Sequence, residues 1–149
     1  MTRTRLVAVI GTLVLALVAA ACGGSHTTLP QRLRAWESGA SYLQDQSLIS
    51  TDIREIATGI RTGPLQALHT ACDGLAVDSA NAYGELPTPE QALTSDLNDE
   101  YLTATNAAQS CSTSTSRHGG RIERYLTLIA RAKRDLRGAN ARIARILFP

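Results

Sequence analysis

The sequence predicts an all-α fold, an antiparallel four-helix-type bundle closed by one disulfide, and three observations carry that expectation. From Pro30 onward, apolar residues recur in steps of three and four, the spacing of one helical face. Gly and Pro break the pattern at only a few places, chiefly Gly63-Pro64, Gly84 to Pro89 and Gly119-Gly120, so the helices are long. Aromatic residues are 4% of the 149, and Ala, Leu and Ile supply most of the apolar mass, which suits helices packed through small residues better than a sheet sandwich. The length allows one domain and not two with good cores.

The chain opens with MTRTR, a positive n-region, followed by the mainly apolar stretch Leu6 to Ala21. As a helix that stretch spans ~24 Å, short of the ~30 Å bilayer core, so a signal peptide is expected rather than a spanning helix. Ala19, Ala20 and Ala21 leave a narrow backbone just before Cys22. The stretch LVAAACGGS resembles the lipobox of bacterial lipoproteins, with Ala19 standing where those signals favour leucine. The resemblance implies cleavage before Cys22 and acylation of its sulfur. Residues 1–21 are then the signal peptide, 22–28 the lipidated cysteine with a flexible tether, and 29–149 the helical domain on the outer face of the cell membrane. Two acyl chains supply the two hydrophobic signals that stable anchoring requires. The alternatives are secretion with cleavage after Ala21 and an uncleaved anchor.

From Pro30 to Arg61 two amphipathic sets follow one another, Leu33, Trp36, Ala40, Leu43 and then Ile49, Ile53, Ile56, Ile60. Their phase slips between Leu43 and Ile49, and Asp52-x-x-Glu55 could cap a fresh start, so one bent helix and two short ones fit equally. Pro64 suits the first turn of the next helix, which places Leu65, Leu68, Cys72, Leu75, Ala76 and Tyr83 along one side, interrupted by Ser79. After GELPTP, Thr88-Pro89-Glu90-Gln91 reads as a cap and first turn, and Leu93, Leu97, Tyr101, Leu102 and Ala108 mark a third helix ending near Cys111. STSTSRHGG, residues 112–120, is a loop. In the last helix Ile122, Ile129, Leu136 and Ile143 recur every seven residues, with Tyr125, Ala132, Ala139 and Ile146 three residues after each. That narrow seam belongs to one long helix of the bundle or, alternatively, to an intermolecular coiled coil.

Charge is partitioned along the chain. The formal net charge of +2 comes from Arg3 and Arg5, so the chain from Cys22 onward is neutral and offers no case for nucleic acid. Residues 64–111 carry seven acids and no Lys or Arg, whereas residues 117–149 carry nine bases against Glu123 and Asp135. The fourth helix is expected to lie against the acidic second and third, and exposed pairs of this kind are worth ~0 to 1 kcal/mol each. The alternative is an arginine-lined face that meets anionic lipid or an acidic envelope protein near the tether.

With Cys22 acylated, Cys72 and Cys111 remain as an even pair in an oxidising compartment, and a disulfide is the default reading. The helix boundaries set a condition on it: GELPTP must climb past the end of the second helix, or the two Cα atoms lie well beyond ~7 Å. The rival is a metal site, with His69 and Cys72 on one helical face and Cys111 and His118 completing four ligands. Methionine-bound copper is excluded from a mature chain whose only methionine is Met1. No nucleophile elbow, zinc-protease motif, phosphate loop or dinucleotide fingerprint is present. Asp99 and Glu100 are adjacent, so on a helix they do not face one another as an acid/base couple. No catalytic residue, metal or cofactor is therefore expected.

From Trp36 to about Ile146 the chain carries Trp36-x-x-Gly39, Cys72-x-x-Leu75-x-x-Asp78, Leu86-Pro87-Thr88-Pro89, then Tyr101 and Ala107-Ala108-x-x-Cys111. In this order of features it resembles a group of small exported helical proteins of unknown function common in actinobacteria. The resemblance supports the cysteine pairing and implies no activity. The expected role is non-catalytic binding or interaction within the cell envelope. The alternatives are a small-ligand or metal site near His69 and Trp36, and self-association through the last helix.

Overall fold

The structure, a computed structural model, describes residues 27–149; the proposed signal peptide and Cys22 lie outside the described residues. Five helices follow in order: α1 (Leu29–Gly39), α2 (Tyr42–Thr62), α3 (Leu65–Gly84), α4 (Gln91–Ser112) and α5 (Gly120–Leu147). The four long ones form the expected all-α antiparallel bundle, with α2 packed on α3, α3 on α4, and α4 on α5. Short α1 lies across one end, against α5 and the start of α2. Among the described residues no helix is long and apolar enough to cross a membrane.

The first break falls earlier than the phase slip suggests. Ser41 adopts a left-handed conformation, φ 53°, and separates α1 from α2, which then runs unbroken through Asp45, Gln46 and Ser47. The slip arises from a choice between adjacent apolar residues. Tyr42 is buried while Leu43 is 75% exposed, so the inward face of α2 runs Tyr42, Ile49, Ile56 in steady steps of seven. Asp52, read as a possible cap, sits in mid-helix. In α1, Leu33 is the buried residue, and Trp36 packs against Tyr42 with ring centroids 5.4 Å apart. The Trp36 indole N–H donates to the Glu85 carbonyl at 3.1 Å, which ties α1 to the end of α3.

Gly63 and Pro64 turn the chain, and α2 and α3 then approach closely at Gly59. A Cβ there would stand 3.2 Å from the Leu68 Cα, so a side chain would have to push backbone aside. In α3 the buried face is Leu68, Cys72, Leu75, Ser79 and Ala82. Tyr83, expected on that side, is 44% exposed, because Ala82 takes the inward position one step earlier. In α4, Leu102 likewise turns outward and Ala104, Ala107 and Ala108 fill the core.

Glu90 caps α4: its carboxylate accepts the backbone N–H groups of Ala92 at 3.2 Å and Leu93 at 2.6 Å. These are donors that the helix itself cannot satisfy. Glu90→Ala is expected to cost about 1 kcal/mol of unfolding free energy, measured by urea denaturation, by analogy with other side-chain caps. An unchanged midpoint would show that water replaces the cap at no cost.

Along α5 the heptad seam faces the bundle, with Ile122, Tyr125, Ile129, Ala132, Ala139 and Ile143 buried and Leu136 and Ile146 partly so. It is covered from within the chain. Arg142 carries the charge complementarity onto α4, reaching Asp96 at 2.9 Å and Glu90 at 3.9 Å. Arg124, Arg131, Arg134, Arg137 and Arg145 are exposed on the outer side of the helix, Arg131 lying 3.7 Å from its own helix's Asp135.

The cysteine condition is met. Cys72 and Cys111 are both fully buried with Cα atoms 5.8 Å apart, and they form the disulfide between α3 and α4. His69 does not join them. Its Nε2 lies 2.9 Å from the Ser114 carbonyl oxygen, while His118 is exposed in the following loop.

Candidate functional site

The bundle is open along one side. Consecutive helices pack in turn, but no Cα of α2 comes within 8 Å of one in α5. The gap left between them is a groove of about 260 Å³. Its walls are Ile49 and Ile53 from α2, Ala104 from α4, and Ile129, Ala132 and Leu136 from α5. The two alanines matter here, since larger side chains at those positions would fill the space. Ser50, Arg54 and Lys133 stand at the mouth, all three exposed.

Glu100 contributes the carboxyl group to this lining and is 2% exposed. It sits on the inward stripe of α4, after Leu93 and Leu97 and before Ala104, where a helix of this kind ordinarily carries an apolar residue. One amide donor reaches it, Gln46 Nε2 at 3.4 Å from Oε2, and the same nitrogen lies 3.2 Å from the Tyr101 hydroxyl. Burial pushes the Glu100 pKa up to about 8, with the Gln46 hydrogen bond pulling the other way and the nearby Asp135 carboxylate adding to the rise. Two neighbouring acceptors are also left without a hydrogen-bond donor, Gln46 Oε1 and Asp135 Oδ2. Tyr42 and Tyr101 are pushed upward too, first by burial and then by the Glu100 charge.

A second polar layer crosses the core between α2 and α3. Asp52 is raised to about 7 by burial and then by Asp78, and its Oδ2 has no hydrogen-bond partner. Tyr125, 1% exposed with an unpartnered hydroxyl, is pushed upward by burial and by Asp52, and the buried Ser79 hydroxyl is unpartnered as well. The main cavities are lined by residues other than Asp52, Asp78 and Tyr125. A wider depression of about 480 Å³ between α2 and α3 is lined by Thr51, Glu55 and Thr58 and floored by the buried Gly59.

The pocket expected near His69 and Trp36 does not form. Trp36 bonds Glu85 at one end of α3, and His69, sixteen residues earlier, bonds Ser114 at the other, so about 24 Å of helix separates them. The proposed metal set is likewise dispersed, with both cysteines consumed by the disulfide. Glu100, the residue that matters most to the groove, stands in the sequence beside Asp99, and that adjacency alone gives it no role. Its spacing from Leu97 and Ala104 was the available signal. No family model, no curated protein and no solved structure matches the chain.

Proposed function

We propose that this chain is a lipid-anchored, extracytoplasmic bundle whose role is non-catalytic binding, with the α2–α5 groove as its binding site. The observation that carries the binding role is the apolar groove closed by a buried carboxyl group. A bundle that served only as a spacer would gain stability from an apolar residue in place of Glu100. Convergence of a few polar groups in a concave apolar site is the usual form of a small-ligand site. The resemblance of LVAAACGGS to a lipobox supports the anchor and its location. The domain begins at Leu29, so the tether from Cys22 reaches only about 20 to 25 Å.

The anchor is tested by Cys22→Ala in the full chain. The variant is expected to leave the membrane fraction and to lose the mass of the acyl groups. A variant that stays membrane-bound with its signal removed would refute lipidation at this residue.

A role in contacting anionic lipid or an acidic envelope protein has one specific observation in its favour, the exposed arginines on the outer side of α5. Reversing Arg131 and Arg134 to Glu leaves the core untouched, and unchanged partner capture would assign those arginines to solvation alone. Self-association through α5 has no such support, because its apolar seam is already covered by α4 and α1.

A further inference from the structure

We propose that the α2–α5 groove binds a small organic ammonium, the apolar body lying between Ile49, Ile53, Ile129 and Leu136 and the ammonium group meeting Glu100. The inference rests on the groove being a ligand site and adds the chemical class of the ligand. It follows from what the groove lacks. Of the residues that line it, Glu100 alone brings a carboxyl group, and the one side-chain amide donor that reaches that group is Gln46 Nε2 at 3.4 Å. An –NH₃⁺ group offers three donors and a charge, whereas a carboxylate or phosphate ligand would add acceptors to acceptors.

The groups facing Glu100 from each packed element sharpen the choice. From α2 come Gln46 and the Tyr42 ring region, from α4 its neighbour Tyr101, and from α5 Asp135. None is a cation. Arg54 and Lys133 also line the groove, exposed at its mouth, and among the described residues neither forms an ion pair with Glu100. Asp135 does not line the groove, and its Oδ2 pairs with Arg131 Nε at 3.7 Å, so its charge is answered along α5 itself. At about 260 Å³ the space is smaller than the ~300 to 1,000 Å³ of drug-sized sites, so the ligand is a short-chain or single-ring amine.

Glu100 must be ionised to pair with the ammonium. Since burial holds it protonated in the empty groove, amine binding releases one proton, and affinity rises with pH up to about 8. Below that point each pH unit is worth close to tenfold.

The test compares n-hexylamine with 1-hexanol, which share a chain and differ in the head group, against the full-length protein by ligand-observed NMR and calorimetry. Hexylamine is expected to bind at least about tenfold tighter than hexanol at pH 8, the range of a charge-assisted hydrogen bond. That advantage should fall to about twofold or less in Glu100→Gln, which keeps the side-chain volume. Ala132→Leu should abolish binding of both by filling the groove. If both compounds bind equally and Glu100→Gln changes nothing, the groove remains a ligand site and the ammonium assignment is overturned. If neither binds at millimolar concentration, the groove is not a small-ligand site and both readings fail.

Discussion

Replacing both cysteines, Cys72→Ser with Cys111→Ser, is expected to lower the unfolding free energy by about 3 to 4 kcal/mol in the chain-entropy picture, in which the bond closes a loop of 38 intervening residues. That is a large share of the ~5 to 15 kcal/mol typical of a domain. The double variant is the appropriate probe, because a single substitution leaves an unpaired thiol in a fully buried site. Urea denaturation at fixed pH reads the loss directly, and the thermal midpoint should fall by roughly 10 °C or more. A change below about 1 kcal/mol would mean that the α3–α4 packing, not the covalent link, already restricts the unfolded chain.

The second large effect is pH dependence. Glu100 has a folded pKa raised from 4.5 to about 8, so between those values the native state holds a proton that the unfolded state has released. Stability is therefore fully present below about pH 4.5 and is lost as pH rises through 8. From pH 5 to pH 8 this one group is expected to remove on the order of 3 kcal/mol. Asp52, raised from 3.8 to about 7, acts with the same sign over a lower window. Unfolding free energy measured at half-unit steps should decline across the range, and Glu100→Gln should remove most of the decline between pH 6.5 and 8. A flat profile in the parent protein would show that Glu100 ionises as an ordinary surface carboxyl group and would refute the electrostatic account of the groove.

The helices after Pro64 were legible because their boundaries are covalently marked. Pro64, the GELPTP segment and the polar stretch ending in Gly119-Gly120 leave little choice of phase, and the heptads of α5 repeat four times. The start of the domain was harder to read for a physical reason. Tyr42 and Leu43 are both apolar, and only the left-handed turn at Ser41 decides which of them points inward. Ala82 and Tyr83 pose the same ambiguity, and there the smaller residue is buried because α3 lies close to its neighbours. The groove was illegible at the level of local pattern. It depends on the separation between α2 and α5, two helices distant in sequence, and periodicity within a helix carries no information about that spacing. Glu100 stands three residues after Leu97 and four before Ala104, a spacing that marks the inward face of α4, but its significance depends on the space beside it.

The placement of α1 also determines how the molecule would respond to a pull. Residues 22–28 lead directly into Leu29, so any tension carried by them enters through an eleven-residue helix. That helix is held by little more than Leu33, the Trp36–Tyr42 stack and one indole hydrogen bond. The disulfide joins α3 to α4 near the opposite end, where α4 runs into the loop before α5. Under load α1 would peel away first and lengthen the leash, and the four long helices would reach the strain only afterwards. Held at its N-terminal side, the chain would therefore yield first at this junction, and that yielding would set how far the groove stands from the point of attachment.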